Sequence, residues 1–127
     1  MCIGSRFIEN EGFQSSASRR MGIKFFSWLI KLVTGKGISD PTSGFRACSR
    51  ELISLFAKSY PKDYPEPETI VTALRNKYRI AEVPVIMKAR EQGESSITNN
   101  LAVYYMIKVS LAVVIAALSK KSVGDEK

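Results

Sequence analysis

The chain has 127 residues, enough for one small domain and not two. Hydrophobic residues make up 45% and charged residues 24%, a balance that excludes an intrinsically disordered chain. The net charge of +7 favours an anionic partner, and the absence of histidine removes His-based triads, His zinc sites and the usual general base.

Met1-Cys2-Ile3 runs at once into Gly4-Ser5-Arg6, with no basic leader and apolar run, so the start does not read as a signal peptide. Opening in the middle of a motif is read instead as a truncation. Ile3 to Phe7 has the pattern of a strand end, followed by a polar loop from Glu9 to Ser18. A helix is predicted from Ser16 or Ser18, either of which can cap it, to Val33, with Gly35 as its C-terminal glycine. Met21, Phe25, Trp28, Leu29 and Leu32 share one face of it, while Ile23, Phe26, Ile30 and Val33 make the other side apolar too. A helix of this kind is deeply buried or touches lipid.

Gly37 to Gly44 is a loop dense in turn formers, and Phe45 to Ser49 suits a short strand. Arg50 to Ser59 is predicted helical, with Leu52, Ile53, Leu55 and Phe56 inward. Pro61, Pro65 and Pro67 make Tyr60 to Pro67 irregular, and the next helix is placed at Glu68 to Tyr78 with Pro67 in its first turn. Arg79 to Arg90 reads as extended, Pro84 marking an edge strand, and Gln92 to Asn100 as a polar loop. Leu101 to Leu118 is apolar apart from Lys108 and Ser110, close to the roughly 20 residues that a membrane span needs. Tyr104 and Tyr105 at its start and Lys120-Lys121 after it suit a membrane interface, and Lys108 sits too near the middle to snorkel easily. A helix lying in or dipping into one leaflet is the preferred reading, with a true span and a buried soluble helix as alternatives. The organisation is thus residues 1–97 as the folded part, 98–121 as the membrane-interface or transmembrane helix, and 122–127 as a polar tail. Cys2 and Cys48, far apart and in no metal spacing, read as free thiols.

Four stretches carry chemistry. Ser39-Asp40-Pro41-Thr42-Ser43-Gly44-Phe45-Arg46 gathers a carboxylate, hydroxyls and a guanidinium able to line a site, although Asp40 or Thr42 capping local backbone explains it as well. Arg6, at a strand end, and Arg20, in the first turn of a helix, suit a phosphate, or else are solvated surface charge. In Tyr64-Pro65-Glu66-Pro67-Glu68 the prolines fix the backbone of Glu66, as an aimed carboxylate requires; acidic residues are also common at plain helix starts. Arg90 to Ser96 reads as a loop closing over an anion, with Arg90 as contact and Gly93 as hinge, or as a surface connection.

Taken together, GSR, an Arg-bearing hydrophobic helix, DPTSGFR, YPEPE, EVPV and RxxGxSS resemble the second half of the dolichyl-phosphate mannose synthase-like glycosyltransferases of family two. The resemblance runs from about Ile3 to Lys121. It implies an α/β fold, the C-terminal half of a GT-A (Rossmann-like) domain followed by a hydrophobic helix. It also implies transfer of a sugar from a nucleotide sugar to a polyprenyl-phosphate or cell-surface glycan acceptor, with inversion. The family's other half binds the nucleotide sugar and carries an acidic DxD-type motif for a divalent metal, Mg or Mn. Here the only Asp residues are Asp40, Asp63 and Asp125, none paired, so this chain is expected to bind no metal and no cofactor and to be inactive alone.

By the resemblance, Arg6 and Arg20 bind phosphate oxygens, with Arg46, Glu68 and Arg90 also on the acceptor side. Ser43 and Gly44 shape the acceptor wall, and Asp40, then Glu66, is the carboxylate to take a proton where the acceptor is a sugar hydroxyl. Arg6, Arg20 and Asp40 are expected to converge on one anionic pocket. The expected partners are a lipid-phosphate or glycan acceptor and the cytoplasmic face of the cell membrane, held peripherally or by one helix. The nucleotide sugar is a partner only together with the other half. Nucleic acid is not expected, because Phe25, Phe26 and Trp28 sit in apolar runs rather than among lysines. The competing reading is a small basic membrane-associated binding protein without catalytic activity.

Overall fold

The structure, a computed structural model, describes residues 1–58, 60–61, 65–89 and 99–118. The described elements are β1 (Cys2–Ser5), α1 (Ala17–Thr34), β2 (Arg46–Ala47), α2 (Arg50–Lys58), α3 (Pro65–Arg75), β3 (Ala81–Pro84) and α4 (Asn99–Leu118). The class is α/β: a small mixed sheet of order β2-β1-β3, in which β1 runs antiparallel to β2 and parallel to β3. Pro84 ends an outer strand, where its missing N–H leaves no ladder bond unmade.

Successive β1 residues point to opposite faces. Ile3 is buried in a cluster with Phe26, Leu29, Ile30, Leu52, Ile70, Val71, Val109 and Val113, so the helices cover one face of the sheet. Each of those large side chains contributes roughly 1.5–3 kcal/mol by leaving water. Gly4 points the other way, and a Cβ there would stand 2.6 Å from Phe45 Cδ1 and 2.8 Å from a Val85 methyl. Only glycine lets those two side chains close over the strand.

α1 starts and stops as its sequence predicts. Ser16, in extended conformation, accepts the N–H of Arg19, and Gly35 at φ 74° donates its N–H to Lys31 O. Only one of its two apolar faces is core: Ile23, Phe26, Leu29 and Ile30 are buried, whereas Met21, Phe25, Trp28 and Leu32 are exposed. In α2, Leu52 is buried and Leu55 and Phe56 half-buried, but Ile53 is exposed, because one residue turns the helix by about 100° away from Leu52.

α3 begins at Pro65 rather than Glu68 and ends at Arg75 rather than Tyr78. Both prolines fit its opening turn, where backbone N–H groups lack intrahelical acceptors in any case. The chain leaves α3 through Lys77 at φ 63°, with Tyr78 N–H returned to Ala73 O.

α4 packs on α1 and α3 through Val109, Val113 and Ala117, one turn apart, and sets Tyr105 edge-on to Phe26 at 5.8 Å. Leu101, Val103, Tyr104, Ile107, Leu111 and Leu118 are exposed. The helix is long and apolar enough to cross or anchor in a membrane, with mean hydropathy 2.2 over Leu101–Leu118, of whose residues 17% are buried.

Candidate functional site

β1 and β3 run parallel and end side by side at Ser5 and Pro84, and the segment following α1 returns across that end. The carboxyl ends of parallel strands are where α/β sheets place ligands. A polar cluster has formed there.

Arg6 is the first residue past β1. Its Nε donates to Asp40 Oδ2 at 2.7 Å and its Nη2 to Asp40 Oδ1 at 2.8 Å, a two-pronged ion pair. The backbone N–H of Arg6 also reaches Oδ2, and Thr42 Oγ1 donates to Oδ1 while accepting from Nη2. Asp40 is 0% exposed and the Arg6 side chain 13%. A carboxylate taken that far from water is tolerated only because it is paired and hydrogen-bonded. The guanidinium also lies over the Phe7 ring, 5.2 Å from its centroid. Arg6 Nη1 has no hydrogen-bond partner among the described residues.

The loop is held from below by Glu82. Strand register sets Glu82 opposite Ile3, on the inner face of the sheet, where a carboxylate must find donors. It accepts the Ser39 N–H at 2.9 Å on both oxygens, the Ser39 hydroxyl at 2.8 Å and the Asp40 N–H at 3.1 Å. Because Ser39 Oγ gives its proton to Glu82, the 2.6 Å contact between the Ser5 and Ser39 hydroxyls is donated by Ser5, which in turn accepts from Phe7 N–H.

Arg46 ties the same loop to α3. Its guanidinium donates to Ser43 O at 2.7 Å, Pro41 O at 3.0 Å and Thr69 Oγ1 at 2.8 Å. Burial lowers its pKa below the ordinary guanidinium range, and the charge of Glu66 opposes that shift. The group stays cationic at neutral pH. Ser43 Oγ donates to Gly4 O at 2.6 Å, pinning the loop to β1. Every buried side-chain nitrogen and oxygen among the described residues is hydrogen-bonded.

The sequence candidates therefore fall into separate groups. Arg6, Asp40, Ser43 and Arg46 share one cluster. Glu66 and Glu68 stand half-buried in the first turn of α3, and burial raises the carboxyl of Glu68 above its usual range. Gly44 is exposed, with open space where a Cβ would stand, so neither its backbone nor its packing demands glycine. The Arg20 side chain, on the first turn of α1, is exposed and makes no hydrogen bond or ion pair among the described residues. Arg90 and the rest of its loop lie outside the described residues.

Sequence reasoning placed Ser39 in the site-lining stretch but gave no role to Ser5, Thr69 and above all Glu82. The available signal was alternation: Ile80 and Glu82 fall on one strand face, and a carboxylate beside a core isoleucine has to be satisfied inside.

Among the described residues no three His, Cys, Asp or Glu side chains gather as a metal site. The two carboxylates of the cluster, Asp40 and Glu82, are each occupied by N–H and O–H donors, so they do not fit the divalent ion that the resemblance implies for the other half. What the cluster offers is a fixed guanidinium with one nitrogen to spare. Neither a protein-family model nor a solved structure matches the chain.

Proposed function

We propose that the chain is the acceptor-side part of a glycosyltransferase resembling the dolichyl-phosphate mannose synthase-like enzymes of family two, with its sheet part of a GT-A domain. The acceptor is a polyprenyl phosphate at the cytoplasmic face of the cell membrane. One observation carries this reading: Arg6 is held by Asp40 at the carboxyl ends of the parallel strands and keeps Nη1 for an anion. Elsewhere in the chain, α4 offers an apolar surface fit for a lipid chain or bilayer.

In this reading an acceptor phosphate oxygen attacks the anomeric carbon as the bond from that carbon to the donor diphosphate breaks, and the nucleoside diphosphate leaves with the electron pair. Arg6, with Arg20 and Arg90, binds phosphate oxygens; Ser43 and Gly44 form the acceptor wall; Arg46 fixes the loop; Glu68 borders the site. A phosphate nucleophile needs no protein base. A sugar hydroxyl does, and Asp40, already accepting from Arg6 and Thr42, is poorly placed to take a proton, which leaves Glu66. That difference favours the lipid phosphate over a glycan hydroxyl.

The nucleotide and its metal belong to a second half. Calorimetry on this chain with a nucleotide sugar and Mg or Mn is expected to show no metal-dependent binding, and a measured metal-dependent isotherm overturns that division. Joined to a nucleotide-binding half, the chain is expected to transfer sugar to polyprenyl phosphate, and Arg6→Ala to slow transfer at least about tenfold. Unaltered turnover removes Arg6 from the site.

A second reading, a basic membrane-associated binding protein without catalysis, is favoured by the occupation of both carboxylates of the cluster, Asp40 and Glu82, by N–H and O–H donors. Vesicle binding that persists without any transfer in the joined protein selects it.

A further inference from the structure

The exposed face of α1 is a second feature that the cluster does not use. Met21, Phe25, Trp28 and Leu32 recur at three- and four-residue steps and all face solvent, Trp28 at 57% and Leu32 at 65% exposure. Phe25 and Trp28 rings lie 6.0 Å apart along this stripe. Arg20, Lys24 and Lys31 are exposed as well and form a row beside the stripe, at steps of four and seven residues. Neither α1 nor α4 contains an acidic residue, whereas they carry Arg19, Arg20, Lys24, Lys31 and Lys108.

A soluble surface seldom leaves so many large apolar side chains together. The opposite face of α1 is committed to the core through Phe26 and Ile30, so the helix cannot turn to hide the stripe. It also cannot span a bilayer while that face holds the fold together. An apolar stripe, a flanking row of cations and no acid together match a helix lying in the plane of a negatively charged bilayer. There the rings enter the acyl boundary and the long basic side chains reach the lipid phosphates.

We infer that α1 docks flat on an anionic membrane surface through Met21, Phe25, Trp28 and Leu32, with Lys24 and Lys31 selecting negatively charged lipid. The inference rests on the membrane association proposed above and adds to it the contact helix, its orientation and the lipid charge. α4, packed against α1 through Tyr105 on Phe26 and Met106 at Gly22, brings its bare face to the same assembly.

Trp28 is the single tryptophan of the chain, so its fluorescence reads α1 alone. The full chain is mixed with phosphatidylcholine vesicles, with or without phosphatidylglycerol, some carrying bromine-labelled acyl chains. With phosphatidylglycerol present, Trp28 emission is expected to shift to the blue and to be quenched by the brominated chains, and added salt to weaken both effects. Each cation near an anionic surface raises partitioning about fivefold, so Lys24→Gln with Lys31→Gln should lose on the order of 25-fold on these vesicles. Circular dichroism equal to that of the parent chain checks the fold of this variant. Equal partitioning of the parent chain to neutral and anionic vesicles overturns the inference while leaving membrane association through α4 standing. Binding with unshifted, unquenched Trp28 emission overturns it too, because the contact is then elsewhere. Failure to bind either vesicle sinks both readings and points to a protein covering the stripe.

Discussion

Asp40 carries a formal charge with none of its surface in water, and Arg6 supplies the opposite charge that makes that arrangement stable. Removing one partner strands the other. Arg6→Ala and Asp40→Asn are each expected to destabilise the fold by about 3–5 kcal/mol. The double variant is expected to lose clearly less than the sum, because the second substitution removes the charge that the first left unpaired. Denaturant unfolding of all four proteins closes the cycle; additive losses would mean that the pair is not coupled. Activity lost in Arg6→Ala is interpretable only after that measurement. The chemical types of Arg6 and Asp40 were legible in the sequence and the resemblance brought the two together, but their direct ion pair across 34 positions was not legible, since nothing local links them. The same holds for Glu82, whose partners Ser39 and Asp40 come from a distant loop. Arg20 was legible only as a basic residue at a helix start, and it stands exposed on the first turn of α1.

Among the elements, those with strong local chemistry were readable. Ser16 and Gly35 bound α1 because a capping hydroxyl and a left-handed glycine act within a few residues of themselves. The start of α3 was misplaced because only Pro67 was granted a place in its first turn and Pro65 was taken as a breaker, whereas both occupy positions whose amides need no helical acceptor. Which face of α1 is core was undecided in the sequence, both faces being apolar, and it is settled by Phe26 meeting Tyr105 of α4. The loop of residues 37–45 has no helix or strand of its own, and Glu82 supplies its backbone with an acceptor from β3. Glu82→Gln replaces one of those acceptor oxygens by a donor facing the Ser39 and Asp40 amides. It is expected to destabilise the chain by about 1–3 kcal/mol and to speed amide exchange at both residues, with α4 unchanged. Hydrogen exchange that stays the same at Ser39 and Asp40 would show that Glu82 does not anchor the loop.

At the scale of the molecule, the helices lie on one side of the sheet and keep much apolar surface outside their shared core. Exposed Ile107 and Leu111 on α4 add to the bare stripe of α1. The purified chain is expected to stay monodisperse in detergent and to associate when detergent is removed. Ile107→Gln with Leu111→Gln should reduce that association while leaving the helical content intact, as light scattering and circular dichroism would show. A chain that remains monomeric without detergent would remove the membrane as the reason for these exposed side chains. The composition signalled a basic, apolar-rich chain, yet not that its charges and its bare surface would gather on the same helix.

The middle strand of the sheet precedes both of its neighbours in the chain: Ile3 pairs with Arg46 on one side and with Glu82 on the other. During synthesis β1 therefore leaves the ribosome long before β3 exists, and its ladder closes only after the chain has passed Pro84. Long-range pairing of this kind is slow. α1, whose caps are local, is ready much earlier, with Phe26 and Ile30 still lacking their cover. A nascent chain in that state exposes apolar residues around the whole helix, and a nearby bilayer would shelter it until translation supplies the rest of the core.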